Sequence, residues 1–234
     1  MTGPLQSGRE RWLRTATEAL AEQERLRSLV DTSDPGPGVV RNAAGLDVAY
    51  TPDSNLAVGA AVVLSLDGLQ VLEAATATVE VDFPYIPGLL AFREVPALLA
   101  ALDRLTTMPD VLVCDGHGLA HPRRFGLACH VGVLTGRSTF GVAKTPYWGT
   151  HEEPASDRGA WSSLMDGGEI IGRVLRTRTG AKPVYVSVGH RVALDTACRT
   201  ALRLAAHHRL PETTRLADQL SRRTLADRLH QAAR

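Results

Sequence analysis

Cysteine is scarce and scattered: Cys114, Cys129 and Cys198 form no CxxC pair and leave an odd count. That pattern argues against a cysteine-built zinc site or a disulfide framework, and it suits a reducing cytoplasm. Long apolar runs are missing as well. No stretch approaches the ~18 residues of a membrane span; the most apolar, Leu56 to Leu66, already contains Gly59 and Ser65. Arg9, Arg11 and Arg14 have no apolar block after them, so no secretory signal is read. Nor is there excess charge of one sign. Lys plus Arg number 26 against 25 Asp plus Glu, a net charge of +1. A non-specific polyanion binder is far more basic, so any contact with nucleic acid has to come from a local patch. What remains is an ordinary globular composition, 44% hydrophobic over 234 residues, which is enough to build one core. The expectation is a cytoplasmic monomer without membrane association. Residues 1–234 would form one domain, with an N-terminal helix over about 8–30 and a core over about 44–234.

Leu13, Ala16, Leu20 and Leu26 recur at helical spacing between charges, and Asp34-Pro35-Gly36-Pro37-Gly38 ends that helix. The texture then turns to β. Ala44–Tyr50 is a short apolar strand. Leu56–Leu66 and Leu69–Val81 are two more, joined by Asp67-Gly68 as a two-residue hairpin turn. These three predict an antiparallel meander. Pro84-Tyr85-Ile86-Pro87-Gly88 interrupts, because neither proline can donate to a ladder. After it come a helix over Leu89–Leu105, a buried strand over Asp110–Cys114, and a Gly-rich loop leading into a further helix. A strand over Phe140–Lys144 follows, then a loop over 145–168. Strands over Glu169–Arg178 and Pro183–Val188 and helices over Val192–His208 and Thr213–Arg234 complete the chain. The fold class read from this order is α/β, a mixed sheet between layers of helix.

The informative residues are acids where burial is expected. Asp47 lies inside an apolar strand and Asp115 stands at the C-terminal end of another, where ligands collect in α/β sheets. Glu94 sits near a helix start. Together they suit an oxygen-only site for a hard cation, although each taken alone is better explained as a cap or ion-pair partner. His117 and His121 are four apart, but Gly116, Gly118 and Pro122 argue against a continuous helix and no Glu lies between them. A hydrogen-bonding role near a phosphate or base is therefore expected rather than zinc. Arg123-Arg124 suits phosphates, or a solvated helix start. Arg176 and Arg178 would share one face of a strand, either as a basic patch or as an ordinary solvated face. His190 stands at a polar strand end, or caps the next helix. Lys144 ends an apolar run and reads equally as a surface lysine.

In order and spacing, several short motifs together resemble the endonuclease V family. They are Gly-Leu-Asp-Val-Ala-Tyr (45–50), Pro-Tyr-Ile-Pro-Gly (84–88), Phe-Arg-Glu (92–94), Asp-Gly-His-Gly (115–118) and His-Pro-Arg-Arg (121–124). Gly-Val-Ala-Lys (141–144), Gly-His-Arg (189–191) and Pro-Glu-Thr-Thr-Arg-Leu-Ala-Asp (211–218) continue the set. The resemblance runs from about Gly45 to about Ser221. It implies a ribonuclease H-like fold and a magnesium-dependent endonuclease, with manganese able to substitute, that recognises deoxyinosine in DNA. It implies cleavage of the second phosphodiester 3′ of the lesion, leaving 3′-hydroxyl and 5′-phosphate ends.

By the same resemblance Asp47 and Asp115 match the metal-binding acids, Glu94 a third acid and Asp218 a fourth position. Lys144 and His121 match polar active-site residues. Pro84, Tyr85, Ile86 and Pro87 match a wedge that separates bases. Gly88, Arg123, Gly126 and Leu127 are carried as substrate-binding positions, since glycine lets backbone approach a base. Cys129 stands where serine is expected, and the 145–159 loop departs from the family pattern. Two other readings stay open: an inosine-specific endoribonuclease on the same scaffold, with RNA as partner, and a binder of damaged DNA that does not cut.

Overall fold

The computed structural model describes residues 15–51 and 55–232. Helix α1 covers Ala16–Arg27, opened by a capping box in which Thr15 and Glu18 satisfy each other's backbone donors. The expected helix over 8–30 is thus shorter, beginning after the Thr15 cap and ending at Arg27; Leu13 and the rest of 8–14 lie outside the described residues.

The expected meander is β1 (Asn42–Tyr50), β2 (Leu56–Ser65) and β3 (Val71–Glu80), all antiparallel. The β2–β3 turn is wider than a two-residue loop. The Ser65 N–H closes it on the Gln70 carbonyl, and the left-handed positions are Gly68 and Leu69. Helix α2 (Ala91–Leu102) leads to β4 (Val111–Cys114), α3 (Leu127–Thr135) and β5 (Thr139–Ala143). Then follow β6 (Trp161–Asp166), β7 (Glu169–Leu175), β8 (Val184–His190), α4 (Leu194–Leu204) and α5 (Glu212–Ala232). The eight strands form one sheet in the order β3-β2-β1-β4-β5-β8-β7-β6, with β1, β4 and β5 parallel to one another. This is the mixed, ribonuclease H-like arrangement that the sequence predicts.

Alternation along the strands sorts the core into two layers. Ala44, Leu46, Leu112 and Cys114 pack with α2 and α3 on one face. Val111, Val113, Phe140 and Val142 pack with α4 on the other, and Ala60, Val62 and Leu64 meet Ala217 of α5 on that same side. Odd-numbered positions of β1 and β4 therefore look toward the α4–α5 layer, and both Asp47 and Asp115 are odd.

Two further expectations from sequence need correction. The segment 145–168 is not all loop, because β6 pairs with β7 through a Gly167-Gly168 turn in which both residues have positive φ. As an edge strand β6 buries only Leu164 completely, so its polar composition hid it. The second concerns Arg176 and Arg178. Strand β7 ends at Leu175, and Arg176 turns inward, 8% exposed. Its guanidinium donates to Glu153 and to the carbonyls of Pro154, Ala155 and Ala181. Arg176 is a pin for the preceding loop, not part of a basic sheet face.

Candidate active site

Strand parity and register bring the first two acids together. Leu46 pairs with Cys114 in the parallel β1–β4 ladder. Asp47 and Asp115 therefore follow side by side beyond that pair, on the face that α5 covers. The next strand, β5, closes tightly on them: a Cβ at Gly141 would collide with the Gly116 carbonyl oxygen. Lys144, just past the end of β5, reaches back so that its Nζ lies 2.6 Å from Asp115 Oδ2. Helix α5 supplies the other wall. Ser221 Oγ has one proton to share between Asp47 Oδ2 at 2.9 Å and the Asp218 carbonyl at 3.0 Å. The Asp218 carboxylate accepts from Arg222 Nε at 2.7 Å.

The acids sense one another's charge. Burial pushes the Asp47 carboxyl up to about 6, aided by the like charges of Asp115 and Asp218 and opposed by the Ser221 hydroxyl. Burial, then the charges of Asp47 and Asp115, pushes Glu94 up to about 8. Lys144 is held above its ordinary value: burial works against its charge, but Asp115, Asp218 and Asp47 outweigh that. Among the described residues, no three His, Cys, Asp or Glu side chains form a ready ligand set for a metal ion. Magnesium, however, takes one or two carboxylates and completes its shell with water and phosphate. The partly buried oxygen pair Asp47 and Asp115, with mutual repulsion to relieve, fits that demand.

The Glu94 shift has a measurable consequence. Its free value is ~4.3, so a folded value of about 8 means that the fold favours the protonated acid. That contribution is complete below the free value and is lost as pH rises toward the folded one. In chelator, the melting temperature of Glu94→Gln should fall less than that of the wild type across this window. Equal falls would show that Glu94 carries no such strain.

A cleft of about 260 Å³ opens beside the acids. Glu94 and Asp115 of the acid cluster line it, together with Gly116, Gly126, Leu127, Tyr85 and Tyr147. Tyr85 is 64% exposed, at the tip of the two-proline loop. Pro84 is exposed and Pro87 lines the cleft. Ile86 packs against the Phe83, Leu89 and Phe92 cluster beneath the loop. The loop ends at Gly88, whose φ of +81° is the left-handed region where a side chain is strained.

One carbonyl fastens that loop. The Gly88 oxygen accepts from Arg123 Nη2 at 2.8 Å and from Gln23 Nε2 at 3.1 Å, and His121 Nε2 lies 3.2 Å away. The Arg123 amide donates to His121 Nδ1 at 3.1 Å, which leaves Nε2 as the protonated nitrogen facing Gly88. Burial and the Arg123 charge hold His121 down at about 4, so the ring is neutral at physiological pH. His121 and Arg123 thus touch the two-proline loop, while Lys144 touches the acids. His117 lines the cleft, and burial lowers it to about 4 as well. His190 lies far from this cluster, where its Nδ1 accepts from the Asp31 amide.

Three residues escaped the sequence reading. Gln23 of α1 is 1% exposed and joins Gly88, Phe125 and Arg123, partners 65 to 102 residues away; nothing in its local sequence marks it. Ser221 stands one turn after Asp218 on α5, a spacing that could have found it. Tyr147 has its ring 5.5 Å from His121 and 6.0 Å from His117. Its signal was two adjacent aromatics after Pro146, in a chain with only 5% aromatic residues.

A profile of the Endonuclease V family matches residues 24–219. The chain belongs to the endonuclease V family. Endonuclease V of Streptomyces avermitilis is 54% identical over 218 residues, covering 92% of this chain and 95% of that protein. The crystal structure of Endonuclease V from the same organism superposes with a TM-score of 0.90, at 52% identity and covering 94% and 96% of the two chains. Endonuclease V of Ciona intestinalis, solved in complex with a 24mer DNA containing an inosine followed by a ribo-adenosine, aligns with a TM-score of 0.78. That alignment has 28% identity and covers 90% of this chain and 98% of that one. As a member of this endonuclease V family, the protein is a nuclease. Among the described residues no helix is long and apolar enough to cross a membrane.

Proposed function

We propose that this enzyme recognises hypoxanthine, the base of deoxyinosine, in DNA and cleaves the second phosphodiester 3′ to it as a step in DNA repair. The products carry 3′-hydroxyl and 5′-phosphate ends. The observation that carries this reading is adjacency: a cleft between two tyrosines runs directly into the acid cluster, with Glu94 and Asp115 in its wall. The inosine-containing DNA bound to the Ciona relative supports the choice of base.

Asp47 and Asp115 would hold magnesium, or manganese in its place. When bound, such an ion supplies charge neutralisation of the phosphate and a water of lowered pKa. The remaining work falls to the chain. Lys144 keeps a positive charge beside the phosphate to be cut and stabilises negative charge that develops there. Glu94 and Asp218 flank the pair and orient water by hydrogen bonding. His121 and Arg123 hold Gly88, and so set the angle of the loop that carries Tyr85. A base inside a duplex hides its edge, so the enzyme takes it out of the stack while Tyr85 fills the gap. Hypoxanthine lacks guanine's exocyclic amine, and a cleft side made of Gly116 and Gly126 backbone rejects that amine by shape.

The two tyrosines predict different signatures. Base–aromatic stacking is worth ~1–3 kcal/mol. Tyr85→Ala should weaken binding to an inosine duplex more than to an inosine single strand, since a single strand needs little separation. Tyr147→Ala should weaken both equally, because a cleft wall meets the base whatever its origin. Binding isotherms of both variants on both substrates check this. Equal losses for Tyr85→Ala with a lower melting temperature would make that ring core packing.

Cleavage of inosine-containing RNA is the second reading, favoured by the ribo-adenosine that follows the inosine in the Ciona complex. Rates on matched inosine and guanosine strands, as DNA and as RNA, test both. Faster cutting of inosine DNA is expected. Equal cutting of inosine and guanosine DNA would overturn the proposal, and faster cutting of inosine RNA would select the second reading.

A further inference from the structure

A second cavity, of about 460 Å³, shares Glu94, and no other lining residue, with the cleft between the tyrosines. The end of β1, from Val48 to Tyr50, forms one wall, and Arg222, Leu225 and Leu229 of α5 form the other. Glu94 belongs to both this cavity and the tyrosine cleft. Steps of three and four residues place Arg222, Leu225 and Leu229 on one stripe of α5. One turn earlier, the same stripe presents Asp218 and Ser221, the α5 partners of the acid site. The acid cluster therefore opens two ways, into the cleft and into this groove.

The groove's chemistry is that of a nucleotide strand. Arg222 stands at the acid end, its Nε on Asp218 and its side chain 74% exposed, which leaves the rest of the guanidinium free to meet a phosphate. Leu225 is buried and Leu229 is 39% exposed, giving an apolar floor. Tyr50 stands at the edge, its ring 4.9 Å from the Arg93 guanidinium. A cation that tracks the backbone beside apolar and aromatic surface is how proteins hold single strands without reading their sequence.

We infer that this groove binds the nucleotides immediately 3′ of the cut. The inference rests on the functional reading above. With hypoxanthine in the cleft and the cut two phosphodiesters further 3′, the strand runs from cleft to acids in the 5′-to-3′ direction. The nucleotides beyond the cut then leave the acids by a path other than the cleft, and the groove, which meets the cleft at Glu94 alone, offers that path. The rival is that the groove is a packing gap between α5 and β1.

Single-turnover cleavage and binding of inosine strands with a short or a long 3′ flank, at constant 5′ flank, test this, alongside the reverse series. Wild-type binding should tighten with the longer 3′ flank. Leu229→Glu, which sets a negative charge in the groove mouth, should match wild type on the short 3′ flank and lose the gain from the long one. Arg222→Ala should reduce the salt slope of binding by about 1 on the long flank and leave it unchanged on the short one. Equal losses on short and long flanks, at unchanged melting temperature, would overturn the inference. So would a loss that follows the 5′ flank. Failure of the wild type to prefer inosine over guanosine in the same series would instead sink the functional reading, and this inference with it.

Discussion

Replacing Asp115 with asparagine should abolish nicking while inosine-containing DNA is still bound. Asparagine keeps the shape at the end of β4 and removes the charge. That charge is half of the oxygen pair that would hold magnesium, and it also holds Lys144 at 2.6 Å. Losing several kcal/mol of transition-state stabilisation slows cleavage by ~10³-fold or more. Asp47→Asn should act alike, for Asp47 lies beside Asp115 on the neighbouring strand and keeps its Ser221 contact through an oxygen. Neither change should unfold the protein. Burial is the main cause of the raised Asp47 carboxyl and the charge of its neighbour a lesser one; removing one of the two like charges relieves that lesser part, so the melting temperature in chelator should hold or rise. Quantitative nicking and binding on one inosine duplex, with melting curves in chelator, check these statements. Full activity of Asp115→Asn in magnesium would remove Asp115 from the site.

Lys144→Ala should lower the single-turnover rate by roughly a hundredfold, as removal of an electrostatic donor does, with a much smaller change in affinity. The lysine is 47% exposed and paired with a carboxylate that is 19% exposed. A pair so open to water adds little stability, so folding gives small reason for its presence. Its place one residue past β5, where Gly141 closes on Gly116, sets it beside Asp115, as the proposed catalytic role requires. Lys144→Arg keeps the charge and should recover part of the rate. If affinity fell and the rate at saturation did not, Lys144 would be a phosphate tether.

How far the site could be read from sequence follows from the range of the interactions. Asp47 and Asp115 were legible because strand parity and burial are local. An acid in an apolar strand and another at a strand's end announce themselves, and the parallel register then sets them side by side. The meander was legible through Asp67-Gly68. Strand β6 was not, since an edge strand keeps polar residues on its open face, although Gly167-Gly168 marked its turn. Arg176 misled because a buried, fully engaged guanidinium has the same local sequence as a solvated one. Gln23 lay beyond reach: its three partners come from loops far along the chain. Cys129, where serine was expected, changes little. The thiol is fully buried, and burial pushes it up to about 12, so it acts as a small apolar side chain.

The most direct measurement is the nick itself. An end-labelled duplex with a single deoxyinosine, incubated with the protein in magnesium and run beside a chelator control, should show one new band. That band should map to the second phosphodiester 3′ of the inosine, on the inosine strand, and should vanish in chelator. Cleavage that persists in chelator, or that falls equally along a duplex without inosine, would contradict the account.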